Sequence, residues 1–276
     1  MIRSFKLEWL KLKHYRVFWI LLGMYLLALV VIAAFGGLFL EWLKEKGMNF
    51  RDIDPTMFPI YDFPDIWQNI TYLASFGIIL LAFIVIISVN NDVTNNTLRQ
   101  NIIDGISKRE YMLSKMSLIL SLAGLSTLLL IVLVLVHGRI YSHVWGSKFI
   151  LDELEFVAAY FYQIVIFGTM AFFLSLIIKK SGFVIVALFL YSMMFEPMMT
   201  TIFENVPYFQ DTWMPEITQY FPVKAIKNLI DVPFGRYILK EISDNVSIKD
   251  LLISTGWLVI YLTGIVYILR KRDLKS

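Results

Sequence analysis

The stretch Asn90–Lys115, NNDVTNNTLRQNIIDGISKREYMLSK, is a polar island between two long apolar runs. After Thr94 its apolar residues fall at Leu98, Ile102, Ile103 and Ile106, the spacing of one helical face. Asn95, Asn96 and Thr97 supply N-cap side chains just ahead of that face, and Gly105 supplies a stop behind it. A short amphipathic helix between two membrane spans either lies along the membrane surface or docks into another protein's groove. Docking is the working expectation.

The apolar runs on either side decide the class. Of the 276 residues 58% are hydrophobic and only 17% charged, where soluble domains hold ~45–50% and ~25%. Several runs exceed the ~18 residues that mark a membrane-crossing helix. The expectation is an all-α polytopic membrane protein with one transmembrane domain, residues 1–276, and no internal repeat. The chain has no cysteine, which excludes disulfides, thiol catalysis and cysteine-ligated metal.

Residues 1–16 carry five basic residues and one acid, with Phe5, Trp9 and Leu12 on one face, as in an interfacial amphipathic helix. The uncharged run 17–40 is 24 residues long, longer than the ~7–15 of a secretory signal, so an uncleaved first span is expected. Further spans are expected at 70–89, 116–136, 157–178, 183–203 and 251–269. Six spans place both ends on one side. Residues 1–16, 90–115, 179–182 and 270–276 hold 15 Lys and Arg against five acids; the alternate loops hold 10 against 16. By the positive-inside rule both termini are cytoplasmic. The seven tryptophans, near span ends or in loops, agree with an interfacial belt.

The segment 204–250 is too apolar for an ordinary solvent loop, and Pro207, Pro215, Pro222 and Pro233 punctuate it. Two short helices dipping into the outer leaflet fit it, and a small extracellular cap is the alternative. Glu196 is the only formal charge inside an expected span, and Pro197 follows it. A carboxylate there costs at least ~2.5 kcal/mol, so it faces protein or a water-filled path unless the helix ends and lets it snorkel out. No G-x-x-x-x-G-K-[ST] phosphate loop, H-E-x-x-H or G-x-S-x-G occurs, and His14, His137 and His143 sit at span ends. No metal site, catalytic residue or nucleic-acid contact is expected.

At the polar island the sequence resembles the membrane subunit of a type-2 ABC transporter, an exporter permease. The match is Thr97-Leu98-Arg99-Gln100, then Gly105-Ile106-Ser107-Lys108-Arg109, with Lys115 opening the third span. Many members read G-T-L-R, then P-I-S-R and a lysine some six residues on; here Asn96 replaces the glycine and Gly105 the proline. The resemblance implies an elbow helix at 1–16 and a coupling helix seated in a separate cytoplasmic ABC ATPase. Thr97, Leu98, Arg99, Ile102, Ile103, Gly105, Ile106, Lys108 and Arg109 are the expected coupling residues, and Glu196 the expected residue of the translocation path. It further implies two permeases and two ATPases in a bacterial cytoplasmic (inner) membrane. ATP and Mg would sit on the partner, with no cofactor in this chain. Apart from this family, a lipid-modifying membrane enzyme and a non-transporting anchor or sensor partner fit the same layout.

Overall fold

The computed structural model describes residues 8–45, 59–94, 107–144, 146–233 and 245–271, and every regular element among them is helical. Helix α1 (Arg16–Glu45) is followed by α2 (Ile66–Ser75) and α3 (Ile78–Thr94), then α4 (Lys108–Tyr141), short α5 (Ser147–Leu151) and α6 (Glu155–Ile177). Next come α7 (Ser181–Leu190), a π-turn at Tyr191–Phe195 and α8 (Glu196–Asn205). Short α9 (Pro207–Gln210), α10 (Met214–Ile217) and α11 (Pro222–Lys227) precede the last long helix, α12 (Ile248–Lys271). Five stretches, at α1, α4, α5–α6, α7–α8 and α12, are long and apolar enough to cross a membrane; the bent pair α2–α3 makes a sixth.

The second span departs from the expected unbroken 70–89: α2 and α3 meet at 43°. Gly77 lies at the break and permits close packing there: a Cβ would lie 3.3 Å from both the Ala74 carbonyl and the Tyr25 ring. The third span starts at Lys108, eight residues before the expected 116. Ser107 accepts from the Glu110 amide at 3.1 Å, while Glu110 Oε2 accepts from the Ser107 amide at 2.8 Å. This capping box satisfies two otherwise orphaned donors and carries the helix beyond the apolar run. The remaining spans run one to five residues beyond, or one short of, their expected limits.

Helix α6 is the centre of the bundle. Of its membrane-crossing window 72% is buried, against at most 33% for the other unbroken spans, and it packs on α3, α4 and α12. The buried hydroxyls of Tyr25, Ser126 and Tyr160 meet in one hydrogen-bonded knot that joins α1, α4 and α6. Away from water such polar groups join helices, since they have no other partner. Trp67, near the start of α2, is buried, and its indole N–H donates to the Ile150 carbonyl at 3.0 Å.

Contacts sort the loops to two ends of the bundle. At one end Thr94 donates to the Lys179 carbonyl at 3.4 Å and Lys108 to the Arg270 carbonyl at 3.2 Å. At the other the His143 amide donates to Asp62 at 2.6 Å and the Val246 amide to Glu155 at 3.0 Å. The basic loops thus share one end, as six crossings require.

Two glycines of α4 make a matched test of this packing. A Cβ on Gly138 would sit 2.3 Å from the buried Phe63 ring, whereas one on Gly124 meets nothing within 4 Å. Gly138→Ala is expected to lower stability by about 1–3 kcal/mol through overpacking. Gly124→Ala is expected to raise it by up to about 1 kcal/mol through helix propensity. Thermal unfolding of the purified variants checks the opposite signs, and equal shifts would refute the Phe63–Gly138 packing.

Candidate functional site

The polar island enters and leaves through α3 and α4, and an ion-pair clamp joins these two stems to the N-terminal helical segment, residues 8–12. Lys115 is 0% exposed. Its ammonium lies 2.8 Å from Glu8 Oε2 and 2.6 Å from Asp92 Oδ2, and donates to Ser88 Oγ at 2.8 Å. Lys11 closes the ring from the rim, 3.0 Å from Asp92 and 3.8 Å from Glu8. Ser88 and Ser114 donate to Glu8 at 3.2 and 3.4 Å, and Lys115 lies 5.5 Å over the Tyr111 ring. Two ammonium groups thus neutralise two carboxylates, the condition under which buried charge is tolerable. The clamp ties the Glu8–Leu12 segment to both stems.

Of the residues expected to couple, Thr97, Leu98, Arg99, Ile102, Ile103, Gly105 and Ile106 lie outside the described residues. Lys108 and Arg109 occupy the first turn of α4, where Lys108 reaches α12 and Arg109 is exposed. They stand away from the clamp. Leu12 is buried as an amphipathic elbow requires, whereas Trp9 is exposed and packs edge-on against Trp19 with centroids 6.1 Å apart.

At the opposite end Glu196 follows the π-turn, an irregularity that occurs often at functional sites. It is 3% exposed and does not snorkel, because α8 continues past it to Asn205. Its Oε1 accepts from the Lys224 amide at 2.5 Å and so caps the N-terminus of α11 from a neighbouring helix. Farther along α8, Glu204 pairs with the Lys224 ammonium and accepts from Thr218 at 2.6 Å. Glu196 therefore faces the 204–233 segment of its own chain.

That segment is both cap and insertion. Tyr208 and Trp213 are exposed, whereas Val223, Ala225, Ile226, Leu229 and Ile230 are buried. Gln163 donates to the Ile226 carbonyl at 2.8 Å, Gln68 to the Asp231 carbonyl at 3.2 Å and Trp257 to the Tyr220 carbonyl at 2.8 Å. Gln163 lies eight residues into α6, about 12 Å along it. The irregular backbone thus enters the bundle only where side chains satisfy it. Among the described residues four short helical turns build it.

A cavity of about 300 Å³ opens between the α2–α3 break, α6, the π-turn and α11. Ile79, Phe167 and Ile226 give it apolar walls, and Ser75, Ser192 and Asp231 polar ones. Gln163 Oε1, which is buried and has no hydrogen-bond partner, belongs to the same lining residue set. Such a mixture suits an amphipathic occupant. Glu196 stands one helical turn from Ser192.

The α11 cap gives Glu196 a measurable role. Glu196→Gln keeps an acceptor for the Lys224 amide, whereas Glu196→Leu leaves that buried amide unpaired at about 1–3 kcal/mol. The Leu variant is expected to unfold at a lower temperature than the Gln variant. Equal midpoints would show that the bond does not hold α11 in place.

Sequence reasoning missed Glu8, Asp92 and the clamp role of Lys115. The available signal was the i, i+3, i+4 spacing of Tyr111, Ser114 and Lys115 on one face of α4, matched by Ser88 and Asp92 one turn apart on α3. Residues 2–274 match the sequence profile of the family described as ABC-2 family transporter protein. Comparison with curated proteins gives no match.

Proposed function

The chain belongs to the ABC-2 transporter family and is a multi-pass membrane subunit of an ABC transporter, and from that premise we propose that it forms the path for ATP-driven export, or membrane extraction, of an amphipathic substrate. A separate cytoplasmic ATPase supplies the force, seated on a coupling helix within residues 94–105. The assembly holds two permeases, two ATPases and their ATP and Mg. The observation that carries this reading is the clamp: force delivered at the polar island meets α3, α4 and the N-terminal helix as one body. The mixed lining of the outer cavity supports an amphipathic substrate, and Glu196 sets the segment that walls it. A lipid-modifying enzyme would need polar groups converging on a reactive centre, and no observation favours one.

The test is purification of the full chain from its native membrane. A stoichiometric nucleotide-binding subunit, with hydrolysis that responds to an amphipathic substrate, is the expected result; a chain that purifies without one would overturn the reading.

Both termini are proposed to be cytoplasmic, in the bacterial inner membrane, because the basic excess lies at that end of the bundle. The chain has no cysteine, so single ones report sidedness cleanly. A membrane-impermeant thiol reagent is expected to label Asp52→Cys and Asp211→Cys in intact cells, but not Asn96→Cys or Asp273→Cys. Labelling of the second pair alone would invert the orientation.

A further inference from the structure

We propose that the groove between the start of α4 and the end of α12 is a binding site for an acidic phospholipid. The groove measures about 590 Å³. Arg109 and Arg270 stand at its mouth, and Met112, Leu113, Val266 and Leu269 form its floor. Both arginines are exposed, and among the described residues no carboxylate pairs with either. The neighbouring charges are committed: Glu110 serves the capping box, and Lys271 reaches the Tyr267 hydroxyl at 3.4 Å and lies 5.6 Å over its ring. Lys108 ties the two walls together by donating to the Arg270 carbonyl at 3.2 Å.

The shape selects the occupant. A second recess, about 330 Å³, shares Val266 and Arg270 with the groove and continues along α12 past Tyr267 to Leu262. Leu262 lies eight residues from Arg270, about 12 Å up the helix and into the span. A cationic mouth that opens onto a mostly apolar surface recess running along α12 fits a phosphate headgroup with its acyl chain laid against the helix. An acidic peptide would match the mouth but leave the recess empty. Guanidinium groups hold phosphate through paired, charge-assisted hydrogen bonds, and basic pockets between spans retain anionic headgroups.

The experiment is native mass spectrometry of the full chain, alone and in the assembly purified with it. Dioleoyl-phosphatidylglycerol or dioleoyl-phosphatidylcholine is added to the detergent. One phosphatidylglycerol adduct is expected to bind about tenfold or more in preference to phosphatidylcholine. Arg109→Gln with Arg270→Gln is expected to abolish that preference. Lys179→Gln with Lys180→Gln, at the same end of the bundle, is expected to keep it. Retained preference in the arginine variant, or equal loss in the lysine variant, would overturn the site in favour of diffuse surface charge. Loss of the adduct in the assembly alone would give the groove to a protein partner and overturn it too.

Discussion

Lys115→Met is expected to lower the stability of the permease by about 3–5 kcal/mol, the loss seen when one partner of a buried ion pair is removed. Lys115 is 0% exposed, and its ammonium is the group nearest to both Glu8 and Asp92. Without it the cation left to the two buried carboxylates is Lys11, at the rim 3.0 and 3.8 Å away, with the Ser88 and Ser114 hydroxyls on Glu8. Methionine fills a similar volume, so a cavity does not explain the loss. The companion variant Glu8→Gln, Asp92→Asn, Lys115→Met removes all three charges and is expected to recover more than half of it, since a neutral replacement of a buried pair costs little. Thermal unfolding checks both. Wild-type stability in Lys115→Met would mean that water reaches the cluster. A rescued triple variant that hydrolyses ATP without transport would assign the clamp to force transmission.

Ile102→Asp with Ile103→Asp is expected to release the ATPase while leaving the permease inserted. Both residues are large and apolar on a polar segment outside the spans. Apolar anchors at the desolvated centre of an interface contribute about 2 kcal/mol or more each, so their joint loss weakens binding on the order of a thousandfold. The readouts are co-purification of the ATPase and transport, with membrane insertion measured separately. Undiminished co-purification would show that this face rests on lipid or on the chain's own spans.

The spans were legible because bilayer thickness imposes a length on apolar runs, and these runs are long. Segment 204–250 was legible as unusual because it is apolar for a loop; of its apolar residues Ile226, Leu229 and Ile230 are buried, whereas Tyr208, Trp213, Ile217 and Tyr220 stay exposed. What the pattern did not carry were pairings between distant residues. Glu8 and Lys115 lie 107 positions apart, and each read alone is an ordinary charge near a span end. The break at Gly77 left no polar mark, and the ring packed against it belongs to another helix. For Glu196 the expectation that it avoids lipid agrees with its burial, but its partner is a backbone amide, and no side-chain pattern encodes that.

The central claim is that the polar island is where a separate ATPase drives this chain, and a site-specific cross-link tests it most directly. In the cysteine-free chain a single cysteine at position 102, carrying a short photoreactive group, would be illuminated in native membranes. The account predicts one major adduct, a nucleotide-binding subunit, and no such adduct from the same probe at position 211, at the other end of the bundle. An adduct to lipid alone at position 102, or an ATPase adduct from position 211 instead, would contradict it.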